Sequence, residues 1–382
     1  MYSVSSYGEM IADRIRARAY ARALESAIKP GAVVLDLGTG ATGIFAMLAC
    51  RYGARQVYAL ESDDGIELAR RIASANSLAD RIIFIQGLST DVTLPETADV
   101  IISDLRGILP LFGCHIPSIK DARERLLSSG GTLIPQEDTL WVGVADTPAL
   151  YERYQVPWDR GAFGFDLGPG RNIVTNTWHK GRTTPDQLLS EPVCWATLNY
   201  RTIGRPHVHG EVALRVNRAG TAHGLCVWFD SILVEAVELS NAPGAPELIY
   251  GQAFFPLPEP VAVVAGDTVN VSIRADLVGE DYVWQWVTQI VGPGSPRVKA
   301  NFKQSTFLGV PLSPARLRKR AANHIPSLSA DGQVRCFALS LMDGRTSLDR
   351  IAEQLAARFR DRFGDSREAL AVVADLSAQY GQ

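Results

Sequence analysis

The chain has 382 residues, 46% hydrophobic and 21% charged, with a formal net charge of −3. This length predicts two or three domains with ample cores, and the small charge gives no overall field that would attract nucleic acid or an anionic membrane. No apolar run is long enough to span a bilayer, and the N-terminus has no signal-peptide pattern. The five cysteines are scattered and lack metal-ligand spacing. They predict reduced thiols in a cytoplasmic protein that lacks a metal site.

In the first third of the chain, helical and strand patterns alternate. The predicted elements are helix 8–28, strand 33–37, helix 44–52, strand 56–60, helix 64–76, strand 81–85, strand 99–103, helix 117–127 and strand 132–135. Such alternation predicts an α/β fold with a doubly wound, Rossmann-like parallel sheet, whose ligands bind at the C-terminal ends of the strands. Asp36, Glu61 and Asp104 all fall at or near those ends.

The turn after the first strand contains Gly38, Gly40 and Gly43. Glycines there allow positive φ angles and close approach of a ligand to the main chain, which fits either a dinucleotide or S-adenosylmethionine. Asp36 favours S-adenosylmethionine, because a carboxylate before the turn would repel a pyrophosphate but not a sulfonium. Arg16 is then expected to pair with the methionine carboxylate. The alternative is that Asp36 caps the next helix and that Arg16 is solvated.

From about residue 138 the pattern changes to short alternating segments separated by Gly, Pro and Asn, which predicts an antiparallel β-barrel or sandwich. Residues 156–185 are Gly-rich and irregular, as in an interaction arm or an ordinary surface loop. Trp284 and Trp286 share one strand face, and we expect them in the core. His207 and His209 are not expected to bind a metal, because no third ligand lies within reach.

The last part of the chain is helical in pattern. Ser347 is a predicted N-cap before apolar residues at helical spacing up to Phe363, and a second helix starts near Ser366. The segment 341–348 resembles small winged-helix peptide-recognition modules attached to natural-product enzymes. DNA binding is disfavoured, because acidic residues offset the arginines of these helices. The predicted domains are 1–137, 138–298 and 299–382.

Over roughly residues 1–290, the chain resembles the protein arginine methyltransferase family. The segments that carry the resemblance are Glu9–Arg16 with Tyr20, Val34–Gly38, Glu61, Asp99–Asp104, Tyr151–Trp158, Phe163–Asp166, Gln252–Phe255 and Ala265–Asp267. The resemblance implies a methyltransferase sheet followed by a β-barrel with a dimerisation arm at about 156–185. It also implies S-adenosylmethionine as cofactor, with Arg16 on its carboxylate, Glu61 on its ribose and a homodimer as the assembly.

The departures from this family fall on its acceptor site. Where the family has two glutamates that hold a guanidinium, an ungapped alignment gives Asp104 and Gly113. Ile249 replaces the histidine of the family's Thr-His-Trp loop. Ser89 and Thr90 stand where the family places the residue pair that contacts adenine, with Asp91 as a candidate substitute there.

With one carboxylate left, an arginine acceptor would lack half of its clamp. We therefore expect an acceptor other than arginine, oriented or deprotonated by Asp104, so that Asp104→Ala should abolish transfer and leave cofactor affinity nearly intact. Arg106 is a candidate for binding an anionic acceptor or for orienting Asp104, and His115 is a candidate general base. The alternatives are a surface arginine and a structural histidine.

Three functions follow from this pattern. The first is an S-adenosylmethionine-dependent methyltransferase acting on a peptide or a small molecule of natural-product biosynthesis. The second is an arginine N-methyltransferase, and the third is a cofactor-binding regulatory protein without catalysis. Neither a membrane nor nucleic acid is expected as a partner.

Overall fold

A computed structural model describes residues 3–159, 162–294 and 298–381. Arg160 and Gly161 of the predicted arm lie outside the described residues, as do residues 1, 2, 295–297 and 382. The chain divides into two compact units, Met1–Pro311 and Leu312–Gln382, which are described separately.

The first sheet of the larger unit contains five parallel strands. They are β1 (Val33–Leu37), β2 (Gln56–Glu61), β3 (Ile82–Gln86), β4 (Ala98–Ser103) and β5 (Leu127–Ile134). Their order is β3-β2-β1-β4-β5. Successive strands are added on one side of β1 up to β3, and from β4 onward they are added on its other side, so the strand order reverses between β1 and β4. The predicted α/β sheet is confirmed, and the reversal places a ligand crevice at the C-terminal ends of these two strands.

Five helices accompany this sheet: α1 (Val4–Ala12), α2 (Arg14–Ala27), α3 (Ile44–Arg51), α4 (Ile66–Ala75) and α5 (His115–Arg125). The single helix predicted over 8–28 is two helices that meet at Asp13. The Asp13 carboxylate caps α2 by accepting the backbone N–H of Arg16 at 3.0 Å, and it also accepts the N–H of Ile249 at 2.8 Å. A side chain that competes for backbone donors ends one helix and starts the next.

The remaining strands of this unit are antiparallel and form two sheets. They are β6 (Glu137–Ala145), β7 (His179–Gly181), β8 (Val193–Asn199), β9 (Val208–Arg215), β10 (Gly220–Val234), β11 (Val237–Ser240), β12 (Gln252–Val263), β13 (Thr268–Val278), β14 (Asp281–Val291) and β15 (Val298–Ser305). One sheet has the order β7-β12-β10-β6-β8, with β11 beside β10, and the other has the order β15-β14-β13-β9. The antiparallel architecture agrees with the sequence, and closure into a barrel stays a prediction. Trp284 and Trp286 are buried in the core, as expected.

One hydrophobic core runs through the parallel and antiparallel regions, with Leu35 of β1 and Phe229 of β10 in the same buried cluster. The predicted boundary near residue 137 is therefore not a division between compact units. The predicted boundary at 298 also differs from the structure, because β15 continues to Ser305 and pairs with β14. The three-domain description stays a prediction.

The predicted arm at about 156–185 contains the short helices α7 (Val156–Asp159) and α8 (Gly168–Thr175), and α6 (Pro148–Tyr154) directly precedes it. Phe163 and Phe165 between α7 and α8 are 98% and 70% exposed. Aromatic side chains exposed to this extent are typical of a contact surface.

The smaller unit contains the helices α9 (Pro314–Lys319), α10 (Ala330–Ser340), α11 (Leu348–Arg358) and α12 (Ser366–Tyr380). Ser347 caps α11 as predicted, whereas the helix ends before Phe359 and α10 was not predicted. No strand occurs in the described residues of this unit, so the wing of a winged helix is not seen there. None of the described helices is both long and apolar enough to cross a membrane.

Candidate active site

A cavity of about 590 Å³ lies at the C-terminal ends of β1 and β4, where the strand order reverses. It is bounded by α1, by the glycine turn after β1, by the loop after β4 and by two segments of the antiparallel region. The side chains and turns used below are Tyr7, Glu9, Arg16, Gly38, Gly40, Glu61, Asp104, Arg106, Phe112, Trp178, Lys180, Ile249 and Tyr250.

The glycine turn is shaped for close approach. Gly38 and Gly40 have φ angles of +77° and +64°, which favour glycine. A Cβ on Gly40 would lie 2.6 Å from the ring of Tyr7, and one on Gly38 would lie 2.3 Å from the side chain of Leu105. Gly43 (φ +59°) is the left-handed N-cap of α3 and does not line the cavity. The side chains of Tyr7 and Leu105 thus pack closely against these two glycines, and the turn at Gly38 and Gly40 lines the cavity.

Glu61 and Asp36 both accept hydrogen bonds from residues of this turn. Glu61 accepts the N–H of Gly40 at 2.9 Å and lies at the cavity wall. Asp36 is 1% exposed and accepts the hydroxyl of Thr39 at 2.6 Å and the N–H of Ala46, in the first turn of α3, at 3.0 Å. Asp36 thus caps α3, as the alternative interpretation had it, and is not a lining residue. Burial raises its pKa to about 7.

Arg16 is buried at the cavity floor rather than solvated. Its Nε donates to Oδ2 of Asp104 at 2.6 Å and to the hydroxyl of Tyr250 at 3.0 Å, and Nη2 also pairs with Asp104. Nη1 donates to the carbonyl of Met10 at 3.3 Å. A guanidinium in this position, beside the glycine turn, fits a carboxylate of a bound ligand.

Asp104 is surrounded by donors. Besides Arg16, the Nε of Arg106 donates to Oδ1 at 3.2 Å, and Tyr250 donates its hydroxyl at 2.7 and 2.8 Å to the two oxygens. Burial alone would raise the pKa of Asp104, but the two guanidinium charges and the tyrosine hydrogen bond outweigh it and hold the pKa at about 2. Such a carboxylate is not a base near neutral pH, which contradicts the expectation that it deprotonates the acceptor.

Arg106 is neither a surface arginine nor free to bind an anion. It is 4% exposed, and its Nη1 donates to Asp138 and to Ser231, each at 2.8 Å, while Nη2 donates to the hydroxyl of Tyr20. Of its sequence-based roles, the geometry agrees with orienting Asp104. The Arg106–Asp138 pair also joins the loop after β4 to β6 across the shared core.

His115 is 1% exposed and hydrogen-bonds through Nε2 to the hydroxyl of Tyr200 at 3.1 Å. Tyr200 in turn donates to Asp138 at 2.5 Å, so Nε2 of His115 carries the hydrogen and Nδ1 is the bare nitrogen. Burial and the charge of Arg106 lower the pKa of His115 to about 3. This histidine is neutral and structural in character, which disfavours the general-base expectation.

A second cavity of about 200 Å³ continues from the glycine turn and from Glu61. Ser89 and His115 line it, and the contact of Ser89 with adenine stays a prediction. Asp91 is exposed and belongs to the lining of neither cavity.

The position of the family's second glutamate carries no side chain. Gly113 has a φ of +46°, and the nearest atom to a Cβ built there is the backbone oxygen of Glu280, at 3.8 Å. Ile249, at the family's histidine position, lines the cavity with an aliphatic side chain. Ile249 thus lines the main cavity, whereas Gly113 lines the second cavity together with Ser89 and His115.

Four lining residues were missed as site residues: Tyr7, Trp178, Lys180 and Tyr250. Trp178 directly precedes β7 and Lys180 is its second residue, and both side chains line the cavity. Their spacing is visible in the sequence, but nothing in it shows that the strand lies at the cavity. Tyr250 follows Ile249 and aligns with the tryptophan of the family's Thr-His-Trp loop, and the sequence alone assigned no role to it.

Comparison with known proteins agrees with this architecture. Residues 19–134 match a family described as ribosomal protein L11 methyltransferase (PrmA), and residues 139–280 match the arginine methyltransferase oligomerization subdomain. Among solved structures, the Trypanosoma brucei PRMT1 enzyme-prozyme heterotetrameric complex with AdoHcy gives a TM-score of 0.72 at 23% identity, covering 79% of this chain and 98% of that one. The fold is that of a class I methyltransferase with an attached antiparallel region.

Two relatives of this chain in sequence are arginine methyltransferases. An arginine N(omega)-methyltransferase of Streptomyces achromogenes subsp. streptozoticus is 31% identical over 69% of this chain and 74% of its own length. Mouse protein arginine N-methyltransferase 2 is 30% identical over 69% of this chain, which spans only 62% of the mouse protein. The chain belongs to the arginine methyltransferase family of S-adenosylmethionine-dependent methyltransferases. The predicted family and cofactor are confirmed.

Proposed function

We propose that this protein transfers a methyl group from S-adenosylmethionine to an acceptor other than a guanidinium. The observation that carries this proposal is the saturation of Asp104. A carboxylate has about four lone-pair sites, and Asp104 receives Arg16 through two nitrogens, Arg106 through Nε and the hydroxyl of Tyr250.

A guanidinium acceptor would find neither of the two carboxylate positions of the family free to bind it. Arginine methylation on this scaffold needs two acidic side chains that orient the acceptor and localise its charge. Asp104 is neutralised by Arg16 and Arg106, and Gly113 supplies no side chain. An incoming guanidinium would instead meet two buried cations.

At the cofactor end, we assign the guanidinium of Arg16 to the ligand's carboxylate and Glu61 to its ribose hydroxyls. Gly38 and Gly40 give the ligand access to the main chain, and Ser89 lies at the base. Asp104 is then a positioning residue that fixes Arg16. When bound, S-adenosylmethionine supplies an electrophilic methyl group on its sulfonium.

At the acceptor end, the residues position the substrate and exclude water rather than move protons. Neither Asp104 nor His115 takes a proton near neutral pH, because their pKa values are about 2 and 3. The acceptor atom must therefore present a lone pair without help from these two groups. Phe112, Ile249 and Tyr250 provide a largely apolar wall around it, and a dry site strengthens the alignment of the reacting atoms.

An arginine acceptor remains the second candidate, because the Streptomyces relative is named as an arginine N(omega)-methyltransferase. This function would require Asp104 to release Arg106 or Tyr250 when the acceptor binds.

We further propose that the protein is a cytoplasmic homodimer joined through the arm with Phe163, and that the smaller unit holds a peptide acceptor. Light scattering of the full chain tests the dimer, and a monomer would remove that proposal.

The test is methyl transfer followed by mass spectrometry on the full chain. Calorimetry with S-adenosylhomocysteine first establishes that the protein binds the cofactor product. Free arginine and an arginine-glycine peptide should then gain no methyl group, whereas an extract of small carboxylates and amines should contain a methylated product. Efficient transfer to either arginine substrate would overturn the proposal, and cofactor binding without any transfer would favour a regulatory protein.

A further inference from the structure

Most charged side chains that line the main cavity are paired or accept main-chain hydrogen bonds in the part of the chain that the structure describes, and Lys180 and Glu9 differ from them. Arg16 and Arg106 share Asp104, and Arg106 also pairs with Asp138. Glu61 accepts the N–H of Gly40 in the glycine turn and that of Asp63 after β2. The ammonium of Lys180 and the carboxylate of Glu9 have no oppositely charged partner within 4.0 Å among the described residues.

Lys180 projects from β7, which pairs with β12 so that Lys180 lies opposite Ala253. Its Nζ donates one hydrogen bond, to the carbonyl oxygen of Ile249. An ammonium has three N–H donors, so two remain for another acceptor. Among the residues that the structure describes, no carboxylate lies within 4.0 Å of this nitrogen.

The surroundings of Lys180 favour an anion. Burial and the charge of Arg182 lower the pKa of Lys180, while the charge of Glu9 in α1 opposes this effect. An anionic group at Nζ would relieve both unfavourable contributions. Trp178, which directly precedes β7, and Tyr250 line the same cavity as Lys180 and supply aromatic surface there.

We propose that Lys180 is the anion-binding residue of the acceptor site and that the acceptor carries a carboxylate beside an apolar or aromatic group. This inference rests on the proposed non-guanidinium function. The carboxylate would receive the two remaining N–H donors of Lys180, and the flat part of the acceptor would lie against Trp178 and Tyr250. Arginine methylation needs anionic side chains at the acceptor end of the cavity, whereas Lys180 is cationic. This site therefore selects an anionic acceptor over a cationic one.

Three probes of nearly the same shape separate the charges. Benzoate, benzamide and benzamidine place a carboxylate, a neutral amide and an amidinium on one phenyl ring. Each is titrated into the full chain saturated with S-adenosylhomocysteine, with binding followed by calorimetry. The variants are Lys180→Gln, Lys180→Arg and, as a matched control, Lys303→Gln on the exposed side of β15.

We expect the wild-type protein to bind benzoate about tenfold more tightly than benzamide, as for a charge-assisted hydrogen bond. Lys180→Gln should remove this preference without changing the affinity for S-adenosylhomocysteine, and Lys180→Arg should keep it. Lys303→Gln should behave as the wild type. A normal affinity for S-adenosylhomocysteine in Lys180→Gln shows that this variant is folded.

Equal affinities for benzoate and benzamide, or a benzoate preference that survives in Lys180→Gln, would overturn the anion site alone. A preference for benzamidine would overturn both the anion site and the proposed non-guanidinium acceptor. The two failures are therefore distinguishable in one set of titrations.

Discussion

The hydroxyl of Tyr250 lies 2.8 Å from Oδ1 and 2.7 Å from Oδ2 of Asp104. The same hydroxyl accepts the Nε hydrogen of Arg16 at 3.0 Å, so the three side chains form a closed triangle in the floor of the cavity. Each member fixes the other two. Asp104 is therefore held in one orientation by groups of the cofactor side and of the antiparallel region together.

This triangle changes the expected effect of substituting Asp104. The sequence alone led us to expect that its loss would spare cofactor affinity. With the structure, we expect Asp104→Asn to weaken S-adenosylhomocysteine binding about tenfold or more, because Arg16 would lose its charged partner and its alignment. Calorimetry measures the change, and Asp91→Asn, at an exposed aspartate, is the control. An unchanged affinity for Asp104→Asn would contradict the positioning role.

Glu61 provides a second test at the cofactor end. We expect Glu61→Gln to lower the affinity for S-adenosylhomocysteine several-fold, because a neutral amide accepts ribose hydroxyls less strongly than a carboxylate does. The amide oxygen can still accept the N–H of Gly40, so the turn should keep its shape. Glu67→Gln on the exposed side of α4 is the matched control. Equal binding by both variants would remove Glu61 from the ribose site.

The cofactor end was predictable from the sequence because its residues are local. A strand, a glycine turn and an acid at the end of the next strand are close along the chain, and the parallel sheet brings their ends together. Asp104 was located correctly at the end of β4, but its neutralisation was not foreseen. Its partners Arg16 and Tyr250 are 88 and 146 residues away, and no pattern in the sequence pairs side chains over such distances.

The same limit applies to Arg106 and His115. Arg106 stands in the loop after β4 and His115 begins α5 directly after that loop, where a sequence pattern suggests exposure. The structure buries them because Asp138 and Tyr200 of the antiparallel region supply partners for them. Polar residues become core residues when their hydrogen bonds are satisfied there, and only the fold shows that.

Arg106 and Asp138 allow a stability prediction. Both are fully buried, so removing one partner leaves an uncompensated charge. We expect Arg106→Met to lower the free energy of unfolding by about 3–5 kcal/mol. Replacing Asp138 by Asn in the same chain should recover part of this loss, since the stranded carboxylate is gone. Chemical denaturation measures the free energy of unfolding of the two single variants and of the double variant. If the double variant lost the sum of the two single losses, Arg106 and Asp138 would not be a coupled pair.

The last prediction concerns pH and Asp36. Burial raises its pKa from 3.8 to about 7 in the folded protein, so the folded state holds a proton that the unfolded chain releases above pH 4. The contribution of this proton to stability is fully present below pH 4 and is lost as pH rises to about 7. For Asp36→Asn, whose amide is neutral throughout, we expect the free energy of unfolding relative to wild type to increase over this range, by on the order of 4 kcal/mol at most. Denaturation curves at pH 5, 6, 7 and 8, with Asp91→Asn as control, measure the trend. A constant difference between wild type and Asp36→Asn across these pH values would show that Asp36 stays ionised in the folded protein.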